Sequence, residues 1–154
     1  MKIKRITFSI LIITILPVGI VLWAVSYLNP GVDTYAKYYQ INAEEKTLIQ
    51  AIEEFKKENL IYCVPEYYDA KDSREDRGLH RYDVYFYYKE EECVIHCWTH
   101  PSGIKKTTFA LVATKMDKWR QINKDLDDDE SQRQTKLFEA RILNPIKSKL
   151  SAPH

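Results

Sequence analysis

The chain has 154 residues, a formal net charge of +1, a pI near 7.7 and a mean hydropathy of −0.43. That length suits one domain around a single core and leaves two domains cramped. The balanced charge excludes the concentrated basic face of a nucleic-acid binder, and four glycines leave little material for a loop that cradles phosphates.

Residues 1–5, with Lys2, Lys4 and Arg5, precede an uncharged apolar run from Ile6 to Leu28. As a helix those residues extend about 34 Å, enough to cross a hydrocarbon core of roughly 30 Å. The basic flank predicts a cytoplasmic N-terminus, with everything after Leu28 outside the cytoplasm. Trp23 and Tyr27 suit the outer interfacial belt, and Asn29-Pro30-Gly31 is a natural stop. Pro17 and Gly19 are tolerated in a membrane helix. The competing reading is a signal peptide cleaved after Ser26, since Ala24-Val25-Ser26 supplies small residues, but the uncharged stretch exceeds an ordinary signal core. Cys63 is the first cysteine, too far along for a lipoprotein anchor. Residues 1–28 remove three basic groups and no acidic ones, so the exported remainder holds 20 Lys+Arg against 22 Asp+Glu.

Residues 29–41 read as a juxtamembrane linker carrying Tyr35, Tyr38 and Tyr39, and residues 42–150 as the exported domain. Asn42 and Glu45 have the form of a capping box, and Leu48, Ile49, Ile52 and Phe55 mark one face of the helix that follows, with Asn59 as a left-handed terminator. Ile61 to Val64 is a short β-prone run, and Asp69 to Gly78 an exposed charged loop. Tyr82 to Lys89 alternates, with Tyr82, Val84, Phe86 and Tyr88 facing the core and Tyr85 and Tyr87 facing away. Turns at Glu90–Glu92 and Pro101–Gly103 separate further strands at Cys93–Thr99 and Ile104–Thr114, and Trp119 and Ile122 mark a possible short fifth strand. The acidic run Asp125 to Glu130 suits the start of a last helix that carries Leu137, Phe138, Ile142 and Leu143 and is ended or kinked at Pro145. It lacks the spaced ligands and central glycine of a calcium loop. Residues 151–154 form a tail. The pattern predicts an α+β domain: an antiparallel meander of three to five strands with helices on one face.

Cys93-Val94-Ile95-His96-Cys97-Trp98-Thr99-His100 is dense in reactive side chains. On a helix all four Cys and His would share a face, but these residue types favour a strand, which sends the cysteines to one face and His96 and His100 to the other. A single zinc site from all four is thereby excluded; His96 and His100 could ligate only with help from elsewhere, such as His80. Three exported cysteines allow at most one disulfide, with Cys63 to Cys93 or Cys97 the natural pairing because Cys93 and Cys97 lie too far apart on one strand to bridge; the alternative is three buried free thiols. A cysteine nucleophile, Cys63 with His80 or His100, has no supporting motif. No cofactor is expected.

Seven of the eleven tyrosines fall between Tyr62 and Tyr88. With helices on the other face, Tyr85, Tyr87 and Trp98 are left on the open side, where aromatic rings make strong interface anchors. The sequence therefore reads as a single-pass membrane protein, anchored in the bilayer by residues 6–28. It would present a non-enzymatic domain to a protein partner, in envelope assembly or an immunity-type role. The alternative is a small extracytoplasmic enzyme or metal-binding domain using His96, His100 and Cys63.

Overall fold

The computed structural model describes residues 33–74 and 81–151. The span at residues 6–28, His80 and most of the tail lie outside the described residues. Strands β1 (Lys37–Ile41), β2 (Ser73–Arg74), β3 (Tyr82–Tyr88), β4 (Cys93–Gly103), β5 (Lys106–Lys115) and β6 (Trp119–Gln121) form one antiparallel sheet, ordered β1-β5-β4-β3-β2. β6 also pairs with β5. The helices are α1 (Glu45–Glu58), α2 (Asp128–Phe138) and α3 (Asn144–Ser151), with a π-helical turn at Glu139–Leu143 joining the last two. This is the α+β architecture expected, with β3, β4 and β5 as its central meander; the sheet has six strands rather than three to five, because the segments read as linker and as exposed loop add β1 and the two-residue β2. No helix among the described residues is long and apolar enough to cross a membrane.

β1 and β6 share one side of β5. β1 pairs with Thr107 to Leu111 and β6 with Ala113 to Lys115, while Val112 is passed over in the β4–β5 register, which jumps between His96 and Cys97. One extra residue in β5 bends the strand there and gives each short neighbour its own segment. The carbonyl of Val112 accepts from the Ile122 amide at 3.0 Å, which ties the end of β6 to the bulge.

All three helices pack on one face. Leu48, Ala51, Ile52 and Phe55 of α1, and Phe138, Ile142, Leu143 and Ile146 of the C-terminal helices, meet Val84, Phe86, Tyr88, Cys93, Ile95, Cys97, Phe109 and Leu111 of the sheet. Period-2 alternation in the strands and 3.6-residue spacing in α1 bring these apolar sets together. Burying each large side chain contributes roughly 1.5–3 kcal/mol. The opposite face carries a smaller cluster of Ala36, Trp98, Ala110, Val112 and Ala113.

Local details depart from expectation. Lys37–Ile41 is a strand rather than linker, because Ile41 enters the core and Tyr39 packs against it. α1 is preceded by Glu44 with no side-chain cap; Glu45 instead accepts from Thr99 Oγ1 and Arg74, both at 3.0 Å, so tertiary partners replace the capping box. Asn59 ends α1 at φ −130, its side-chain amide donating to the Phe55 carbonyl at 2.9 Å. Residues Leu60–Tyr62 form a 3-10 turn rather than a strand. β4 runs through Pro101 to Gly103, beyond the point where β3 pairs with it, so the missing proline N–H costs no central ladder bond; the reversal falls at Ile104 and Lys105. The acidic run does start a helix: Asp127 Oδ1 accepts the Glu130 amide at 2.8 Å. Pro145 lies in the first turn of α3, directly after the π turn, where the loosened ladder accommodates a ring that would otherwise clash with an upstream carbonyl.

Candidate functional site

On the face away from the helices, Tyr85 of β3 lies directly opposite His96 of β4. Residues paired in this way share a face, and the two rings stack at 4.8 Å with 13° between their planes. Asp83, two residues before Tyr85 and on the same side, brings Oδ1 to 2.8 Å from His96 Nε2. Trp119 of β6 meets both rings, 5.8 Å from His96 and 6.1 Å from Tyr85, and Lys115 Nζ lies 5.6 Å from the indole centre. The result is a half-buried Asp–His pair walled by aromatics. The expected position of Tyr85 and His96 on this face is what the structure shows.

An Asp–His pair orients a base, but acyl or phosphoryl chemistry also needs a nucleophile within reach of that base. None of the three cysteines provides it. Cys93 and Cys97 point into the helix-side core, and Cys63 Sγ lies 3.7 Å from the Lys56 carbonyl. Burial pushes the Cys93 thiol up to about 11 and the Cys97 thiol well above its ordinary range, which opposes a thiolate at either position. All three thiols are free, so the expected bridge from Cys63 to Cys93 or Cys97 is not formed. The reason is placement: Cys63 sits at the outer edge of β3, while the other two lie in the middle of the sheet. His96 and His100 sit four residues apart on one strand, about 13 Å, too far to share an ion. No group of three or more His, Cys, Asp or Glu side chains converges among the described residues.

Of the three residues read as partner anchors, Tyr85 is half-buried, while Tyr87 is 7% and Trp98 5% exposed. All three are on the expected side of the sheet, but two are covered. The Arg81 guanidinium sits 4.2 Å over Trp98, and the Tyr38 ring meets its edge at 5.8 Å. Tyr87 is covered by Tyr68 at 5.4 Å, which in turn packs on Tyr67 at 4.5 Å. Hydrogen bonding with Tyr67, then with Tyr68, pushes the Tyr87 phenol pKa above its ordinary value.

What this segment exposes is a set of residues that sequence reasoning passed over. Leu60 is 73%, Ile61 63% and Tyr67 75% exposed, and with Cys63, Pro65 and Tyr87 they line an open groove of about 540 Å³ along the outer edge of β3. A second hollow of about 260 Å³, lined by Tyr62, Tyr88 and Arg141 among others, shares Ile61 and Lys89 with the first. A signal was available: Leu60-Ile61 follows the end of an amphipathic helix without continuing its period. No family model, curated protein or solved structure matches this chain.

Proposed function

We propose that residues 6–28 anchor the chain in a membrane and that the α+β domain is displayed outside the cytoplasm as a non-enzymatic module that binds a protein partner. The anchor rests on the apolar run and its basic flank. Partner binding rests on one observation, the exposed Leu60, Ile61 and Tyr67 around the groove beside Tyr87. Large apolar side chains grouped on a surface mark interaction sites more often than singly scattered ones do. The contact residues thus move from Tyr85, Tyr87 and Trp98 to the groove that Tyr87 floors.

The test is a photo-crosslinking residue placed in turn at Leu60, Ile61 and Tyr67 in intact cells, with Lys147 on α3 as control. One and the same protein should be captured from the three groove positions and not from Lys147. Protease added from outside should digest the domain, and the purified chain should keep its first residues. An N-terminus at Tyr27 would show cleavage and remove the anchor. Identical capture from all four positions would remove the groove.

A further inference from the structure

We infer that the outer edge of β3 at Tyr87 takes up an extended, basic segment of a partner polypeptide as an added strand. This rests on the partner-binding reading above and names its mode. In an antiparallel strand every second residue turns its N–H and C=O to the same edge. Asp83 pairs outward with Ser73 of β2. Two residues on, Tyr85 donates its N–H to Asp72 Oδ1 at 2.9 Å, and its carbonyl accepts from Lys56 Nζ at 2.6 Å. By the same alternation the next outward position is Tyr87, and no turn, loop or side-chain hydrogen bond given for the described residues ends on its N–H or C=O. The edge is therefore closed by β2, plugged at Tyr85 by two side chains, and open at Tyr87, where the groove lies.

An open strand edge flanked by side-chain hollows is the arrangement used in strand addition, with main-chain bonds giving affinity and the hollows reading alternate side chains. Leu60, Ile61 and Tyr67 supply the apolar side. Charge selects the occupant. Glu66 and Glu92 are exposed and no ion pair among the described residues ends on them, whereas Glu90 and Glu91 are engaged by Arg141. Lys89 is the one cation among the described residues that line the groove. Glu92 lines the groove, and Glu66 sits in sequence between its lining residues Pro65 and Tyr67. A segment alternating apolar and basic residues complements these two carboxylates, while a second copy of the chain would bring the same carboxylates against each other.

The probe is a capped seven-residue peptide alternating lysine and valine, added to the labelled full chain in detergent micelles, with amide exchange followed by NMR. Saturating peptide should slow exchange of the Tyr87 amide by about tenfold or more and leave the Tyr85 amide, already bonded to Asp72, unchanged. Of two further peptides, N-methylated at the valines or at the lysines, one should lose this protection. A glutamate-for-lysine peptide should give none. Unchanged Tyr87 exchange, equal protection by both N-methylated forms, or protection that rises with protein concentration alone would each overturn strand addition. If the peptide fails while crosslinks at Leu60, Ile61 and Tyr67 still single out one protein, partner binding stands and only its mode is wrong.

Discussion

Replacing Lys56 with methionine tests the plug at Tyr85. The ammonium bonds Asp72 Oδ2 at 2.5 Å and the Tyr85 carbonyl at 2.6 Å, and lies 4.7 Å from the Phe86 ring centre. Methionine keeps the aliphatic stem but removes the charge. Hydrogen bonds to a charged group contribute about 1.5–3 kcal/mol each, and a cation over a ring about 0.5–1 kcal/mol. The side chains are 14% and 22% exposed, so water recovers part of this, and a net loss of about 2 kcal/mol is expected. Asp72→Asn keeps an oxygen for the Tyr85 amide and should cost about 1 kcal/mol. Because the two residues act on one another, the double variant should cost about 1 kcal/mol less than the sum. Urea unfolding of all four proteins gives the cycle, and the midpoint should move without a change in slope. A coupling of zero within error, or a Lys56→Met cost below about 0.5 kcal/mol, would refute the plug.

The thiols make a second prediction. Under native conditions near pH 8, iodoacetamide should modify Cys63 first and leave the buried Cys93 and Cys97 untouched, with three thiols titrating after denaturation without reductant; a count of one would restore the disulfide. Third, Glu130 is held down at about 2, chiefly by its hydrogen bonds from Arg133. Its folded pKa is depressed, so its contribution is complete above the ordinary glutamate value and lost as pH falls toward 2. Comparing wild type with Glu130→Gln across pH 2–6 should show a gap of about 0.5–1 kcal/mol that closes only at the acid end; a gap constant with pH would contradict it. Fourth, Phe138→Ala should cost about 3–5 kcal/mol, since its fully buried ring contacts Tyr39, Phe86 and Phe109. A loss below about 1 kcal/mol in urea unfolding would show that the helices do not pack there as described.

The central meander was legible because one face of β3, β4 and β5 is apolar, and period 2 exposes that directly in Tyr82 to Tyr88 and in Phe109 and Leu111; Ala113, expected on the same face, is turned to the other one by the bulge at Val112. β1 was not legible. Lys37 to Ile41 mixes tyrosines with polar residues, and its register is fixed by Thr107 to Leu111, about seventy residues away, which no local pattern encodes. The same distance problem decided the candidate site. Parity correctly put Tyr85, Tyr87 and Trp98 on the face away from the helices, yet parity says nothing about what folds back over a side chain. Tyr68 comes from nineteen residues earlier to cover Tyr87, and Arg81 reaches across from the segment before β3 to cover Trp98. Ile61 and Tyr62 were misread as strand because a short apolar run is ambiguous between strand and turn, and the 3-10 geometry is set by packing of Tyr62 on Phe55 and Tyr88.

Edge geometry links the stability prediction to the proposed binding mode. An exposed strand edge invites pairing with any extended chain, including another copy, and folded proteins limit it with charges and short open stretches. Here Lys56 and Asp72 close one of the two outward positions beyond β2, which leaves Tyr87 as a single register position in the groove that Glu92 lines. Lys56→Met should therefore do more than destabilise: it removes the ammonium that bonds the Tyr85 carbonyl, and leaves Asp72 on the Tyr85 N–H as the remaining side-chain guard of that position. Sedimentation equilibrium of the full chain in micelles should then show concentration-dependent association for Lys56→Met but not for wild type. Adding Tyr87→Pro should suppress that association, since proline removes the donor while an edge position tolerates the ring. If both single and double variants stay monomeric at every concentration, the charge at Lys56 is a local stabiliser and does not govern access to the edge.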